Sequence, residues 1–158
     1  MKQTAPIEAG LAVADLERML AFYRRALGCT EVRRADIPAA LSSAIALARD
    51  GYTCVWLKTP GGETIKLMRP PAPPAPSGAP ALLTERRGFA YLTFYCDDIA
   101  GTLARAEAEG AQLRSDRALI AADRPVRLCF FADPEGNVIE LVEPRDLASF
   151  RPDIRPKA

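Results

Sequence analysis

The chain has 158 residues, 49% of them hydrophobic and 26% charged, with 21 basic residues against 20 acidic for a net charge of +1. That length suits one domain with a real core, and the composition excludes a disordered chain. Near-neutrality excludes a general pull towards nucleic acid or an anionic membrane, which leaves a small molecule or another protein as the partner. No histidine occurs, so the commonest general base near neutral pH and the commonest transition-metal ligand are both missing.

The N-terminus MKQTAPIEAG lacks an apolar leader, and no apolar run approaches the roughly 20 residues that cross a bilayer. A soluble, cytoplasmic chain is expected. Ile7 to Val13 alternates with period two and predicts a first strand. Asp15 then offers an N-cap to a helix over Leu16–Leu27, whose stripe is Leu16, Met19, Leu20, Tyr23 and Leu27, with Gly28 as the stop. A short strand is predicted around Glu31–Arg34, followed by the extra segment DIPAALSSAIALARDGY. Its apolar, serine-dotted run Ala39–Ala48 reads as a long second strand or a flap over a pocket mouth. Thr53–Lys58 and Thr64–Arg69, joined by TPGGE, form a hairpin.

RPPAPPAPSGAP, from Arg69 to Pro80, cannot pair in a central sheet and reads as an extended linker over 70–80. The same elements then recur. Ala90 to Cys96 alternates, Asp98 caps a helix over Ile99–Glu109, and Gly110 stops it. A short strand at Gln112–Arg114 precedes a second hairpin, Arg127–Ala132 and Val138–Glu143, joined by DPEGN. The tail over 145–158 has little periodicity.

The recurrence is visible residue by residue. At an offset of 83, Asp15 falls on Asp98, Leu16 on Ile99 and Leu20 on Leu103. At an offset of 74, WLKTPGGETIKLMRP lies over FFADPEGNVIELVEP with five identities, at Pro60, Gly62, Ile65, Leu67 and Pro70. The chain therefore reads as an α+β domain built of two βαβββ modules, one over 6–70 and one over 88–144.

The strand, the helix run with Asp15, Leu16, Phe22, Tyr23, Leu27 and Gly28, and the hairpin run Asp133-Pro134-Glu135-Gly136-Asn137-Val138-Ile139-Glu140-Leu141 resemble the vicinal oxygen chelate superfamily. That superfamily includes glyoxalase I, methylmalonyl-CoA epimerase, extradiol dioxygenases and bleomycin-binding proteins. The resemblance covers residues 7 to 144. It implies a cupped, incomplete barrel-like sheet around a cavity, often in a homodimer. It also implies four metal-ligand positions, on the first and last strand of each module, where His, Glu or Gln is usual. Here they read Glu8, Lys66, Tyr91 and Glu140.

A lysine ammonium has no lone pair to give and repels a neighbouring cation, a neutral tyrosine is a poor ligand, and two carboxylates alone hold a metal weakly. No tightly bound metal and no other cofactor is expected. In the metal's place a fixed ammonium can stabilise an enolate oxygen, Glu8 or Glu140 can serve as base at carbon, and Tyr91 as proton donor. The implied activity is metal-independent proton transfer next to a carbonyl, as an isomerase, epimerase, lyase or dehydratase. Two other readings remain: sequestration of an apolar small molecule, as in resistance proteins, and a divalent-metal lyase or dioxygenase. The charged set can also be a salt-bridged remnant of an older metal site.

Trp56 and Phe130 occupy equivalent positions and are candidate substrate contacts, with core packing as the alternative. Ser42 and Ser43 are candidates to line the pocket through hydrogen bonds, since no histidine is present to activate them. The apolar extra segment suggests a moderately hydrophobic substrate bearing a carbonyl. Cys29, Cys54, Cys96 and Cys129 form no CxxC and read as reduced structural cysteines. The pairs Arg33–Arg34 and Arg86–Arg87 read as solvated faces, with capture of an anionic substrate as the minor reading. No glycine-rich phosphate loop is present.

Overall fold

A computed structural model describes residues 1–76, 78, 80–115, 125–154 and, by backbone alone, 119–120. Parts of the predicted linker (77 and 79) and of the predicted tail (155–158) lie outside the described residues. The chain falls into two compact units, Met1–Ser77 and Gly78–Ala158.

In the first unit, β1 (Glu8–Ala12), α1 (Leu16–Arg25), β2 (Thr30–Ile37), α2 (Ala39–Ala44), β3 (Tyr52–Lys58) and β4 (Thr64–Arg69) follow in order. Its sheet runs β1-β4-β3-β2, with β1 parallel to β4 and the other pairs antiparallel. The helix begins where Asp15 accepts a hydrogen bond from the Arg18 N–H, and the chain leaves it through Gly28 at a φ of 68°, the left-handed turn that glycine adopts without a Cβ clash. Met19, Phe22 and Tyr23 on α1 are fully buried, as are Val55, Leu57 and Leu67 on β3 and β4. One face of the sheet therefore packs under the helix.

The second unit repeats the plan. It has β5 (Leu92–Tyr95), α3 (Ile99–Ala108), β6 (Gln112–Leu113), β7 (Leu119–Ile120), β8 (Val126–Ala132) and β9 (Val138–Pro144), with sheet order β5-β9-β8-β6 and β7 also on β8. The carboxylate of Asp98 accepts from Gly101 N–H to cap α3. Cys129, Phe131, Ile139 and Leu141 form the fully buried centre of this unit. Neither sheet closes on itself, and each joins its first strand in parallel to its last. The α+β class and the repeated strand-helix-strands order are as the sequence predicts.

Three details differ from the sequence reading. β2 is twice the predicted length and takes in Asp36 and Ile37 of the extra segment, whose apolar run then opens with α2 rather than strand. Pro38 starts that helix, because its ring fixes φ at a value that suits a helix entrance. A two-residue strand, β7, appears where none is predicted. The tail holds a short helix, α4 (Leu147–Phe150), capped by Asp146, and a 3-10 turn at Pro152–Ile154.

Candidate functional site

Strand register decides which side chains share a face. In the first unit Leu11, Leu67 and Val55 are neighbours across β1, β4 and β3, all buried under α1. The alternate residues form a parallel row on the opposite face: Gly10 beside Lys66, Lys66 beside Trp56, and Trp56 beside Arg33. Glu8 lies two residues before Gly10 and so on the same face. Its carboxylate meets the Lys66 ammonium at 2.5 Å.

This pair is only partly shielded, with side chains 32% and 40% exposed. Ion pairs this open contribute about 0–1 kcal/mol to stability in general, so the contact places the ammonium more than it holds the fold. Lysine carries three N–H donors. With one directed at Glu8, two are left for an incoming oxygen. The Met68 methyl packs over Gly10, where an added Cβ would lie 3.0 Å from it.

The second unit carries the matching row: Phe130 beside Glu140, and Glu140 beside Thr93. Thr93 donates its hydroxyl hydrogen to the Glu140 carboxylate at 2.7 Å. The Tyr91 ring meets that of Phe130 edge-on, with centroids 5.2 Å apart. An aromatic, a charged residue and a small residue thus stand in the same order in both units, with the sign of the charge reversed. Further along β5, Tyr95 accepts a hydrogen bond from Arg151 at 2.9 Å and its ring lies 6.4 Å from that of Phe150. The tail therefore lies against Tyr95.

Trp56 and Phe130 sit within these two rows, each half-buried. The serines part company. Ser43 is exposed, whereas Ser42 is fully buried and donates to the carbonyls of Ala48 and Ala39 at 2.9 and 3.2 Å. Its hydroxyl is spent on holding the turn after α2. All four cysteines are free, and burial pushes the thiols of Cys29 and Cys96 up to about 12 and about 11. They are poor nucleophiles at neutral pH.

Sequence reasoning passed over Thr93 and Gly10, and read Arg33 as part of a solvated basic pair with anion capture as the minor alternative. Thr93 and Gly10 each lie two positions beyond a named candidate on an alternating strand, so strand period alone could have found them. The face on which Arg33 lies could not be found that way. A register shift between Glu31 and Arg33 interrupts β2, and the alternation breaks there.

In neither unit do these residues make a donor set for a divalent metal. One Glu8 oxygen is occupied by an ammonium, Lys66 has no lone pair, and Glu140 stands with a threonine and two aromatic rings. Among the described residues, no three His, Cys, Asp or Glu side chains form a group that could hold a metal ion.

The family model of the Glyoxalase/Bleomycin resistance protein/Dioxygenase superfamily matches residues 5–141. Among solved structures, the chain is similar to a glyoxalase family protein from Bacillus cereus, at 22% identity over 92% of this chain and 97% of that one, with a TM-score of 0.78. It is also similar to a fosfomycin resistance protein from Listeria monocytogenes, complexed with Mn(II) and sulfate, at 14% identity over 90% and 93% of the two chains, with a TM-score of 0.59. For glyoxalase I from Zea mays the identity is 17%, the TM-score 0.62, and the match covers 87% of this chain but 46% of that one. No curated protein matches the sequence. At these identities the structural likeness establishes the fold.

Proposed function

Because the chain belongs to the glyoxalase/bleomycin resistance protein/dioxygenase superfamily, we propose that it is a small-molecule enzyme that moves a proton at a carbon next to a carbonyl, without a metal. The reaction is an isomerisation or epimerisation, or an elimination of the lyase or dehydratase type. The observation that supports this reading is the Lys66 ammonium fixed on Glu8 at 2.5 Å, in a position where relatives are expected to hold an ion.

In this reading the substrate carbonyl oxygen accepts a hydrogen bond from Lys66. A carboxylate, Glu8 or Glu140, takes the proton from the adjacent carbon. The C–H electron pair becomes the enolate, and the ammonium stabilises the charge that develops on oxygen. Tyr91 is assigned the return of a proton. Return to the other face of the carbon gives the epimer, and departure of a group from the next carbon gives the elimination product. The working unit is proposed to be a homodimer in the cytoplasm. No helix among the described residues is long and apolar enough to cross a membrane.

The test is exchange of carbon-bound hydrogen for deuterium in D2O, followed by NMR over a panel of carbonyl compounds. The wild type is expected to accelerate exchange with chelator present. Lys66→Met is expected to lower the rate by roughly a hundredfold to a thousandfold, in line with the loss of one oxyanion donor. Glu8→Gln or Glu140→Gln, whichever removes the base, is expected to abolish it. A second reading, capture without turnover, draws on the aromatic surfaces of Trp56, Tyr91 and Phe130. Tight one-to-one binding of a panel member with no exchange would favour capture and remove the enzyme.

A further inference from the structure

Arg33 and Arg34 are adjacent in sequence but have opposite roles in the structure. Arg34 pairs with Val55 on the helix side and bonds Glu17 of α1 and Glu31 at 2.9 and 3.0 Å. Its charge is matched there. In an unbroken strand Glu31 and Arg33 would share a face. Instead β2 slips by a residue between them, so that Glu31 stands opposite Leu57 and Arg33 opposite Trp56. A bulge of this kind re-aims a side chain, and here it turns Arg33 onto the row that carries Lys66.

On that row the Arg33 guanidinium carbon lies 4.7 Å from the centre of the Trp56 ring. Stacking occupies the flat face of the guanidinium and leaves its five in-plane N–H donors unused. Among the described residues no carboxylate pairs with Arg33, whereas Lys66 is matched by Glu8. The row therefore carries one unmatched positive charge. Lys66 and Arg33 are both near enough to Cys54, on the same face, to oppose the rise that burial imposes on its thiol.

We propose that Arg33 selects the substrate: it takes the carboxylate of an anionic carbonyl compound whose neighbouring carbonyl meets Lys66 and whose flat or apolar group packs on Trp56. This rests on the assignment of Lys66 to the carbonyl. Arg33 on β2 and Lys66 on β4 flank Trp56 on β3, and with neighbouring strands about 4.8 Å apart their long side chains can both reach one small arylated or branched oxo acid. A guanidinium fork suits the two oxygens of a carboxylate. With Lys58 also on this face, two places along β3 from Trp56, the surplus positive charge calls for an anion.

The test uses benzoylformate and its methyl ester as probes. Neither has a hydrogen on the carbon beside its keto group, so binding is scored with no proton transfer and independently of whether the enzyme reading holds. Calorimetry gives affinities. Fluorescence of Trp56, the one tryptophan of the chain, reports contact with the ring. Benzoylformate is expected to bind saturably, to perturb Trp56, and to lose affinity as salt is raised. Arg33→Met is expected to weaken benzoylformate binding by about tenfold to a hundredfold, the worth of a charged hydrogen-bonded contact, and to leave the ester unaffected. Arg33→Lys should recover part of the loss. Arg33 is exposed, so both variants are expected to melt with the wild type. Equal binding of acid and ester, undiminished acid binding by Arg33→Met, or no binding of the acid overturns the proposal. Arg33-dependent binding alongside failed deuterium exchange would keep it and refute the catalytic assignment instead.

Discussion

Lys66 was visible in the sequence because the duplication supplied its address. Once the two halves align, a lysine standing opposite Glu140 is a plain chemical anomaly, and an ammonium cannot be a ligand. The sequence also named its partner Glu8, and the ion pair follows from parallel strands that put both on one face. Thr93 was not named, although its hydroxyl donates to the Glu140 carboxylate at 2.7 Å. If that bond orients Glu140 for catalysis, Thr93→Val should lower the deuterium-exchange rate about tenfold, the worth of one hydrogen bond to a charged group. Melting should be little changed, because Thr93 is exposed. An unaltered rate would show that Glu140 does not depend on this contact. Ser42 is the opposite case: a serine in an apolar run looked like pocket lining, but both of its hydrogen bonds close its own segment.

At the level of elements, the sequence carried most of the information in its punctuation. Asp15 and Asp98 start α1 and α3 by accepting backbone N–H groups three residues on, and the hairpin turns fall where Pro-Gly chemistry put them. Asp98→Ala should cost about 1 kcal/mol in urea unfolding, the usual worth of such a cap. A cost near zero would mean that packing alone sets the start of α3. The turn after β8 is held more firmly, since the buried Asp133 carboxylate accepts from the N–H groups of Glu135 and Asn137 and from the Asn137 side chain. What periodicity could not show was the bulge in β2. Hydrophobic alternation assigns faces only while the register is unbroken, and one slipped residue between Glu31 and Arg33 reverses the face of everything that follows. The helix over Ala39–Ala44 escaped for a different reason. Six residues with no polar face have no helical period to detect.

Over the whole molecule, the charged groups bear on stability in opposite pH ranges. The Arg127 guanidinium beside Glu143 holds its carboxyl below the ordinary 4.5, and the Thr59 hydroxyl does the same for Glu63. A depressed folded-state value stabilises the fold above the ordinary carboxylate range, and that contribution is lost as the pH falls through it. The urea midpoint should therefore drop between about pH 6 and about pH 3, and Glu143→Gln should flatten part of that slope. At the alkaline end the sign reverses. Burial raises the thiols of Cys29 and Cys96 above their ordinary 9.0, so the stability they contribute is present below that value and is lost as the pH rises past it.

With a lysine in the role of an ion, the protein should hold no metal, and its metal content decides the matter. Protein purified without chelator and passed through gel filtration should, by plasma emission, contain far less than one divalent ion per chain, because the ammonium on Glu8 leaves no adequate set of donors. About one equivalent of Mn, Zn or another divalent metal, retained by the wild type and lost on Glu8→Gln or Glu140→Gln, would contradict it.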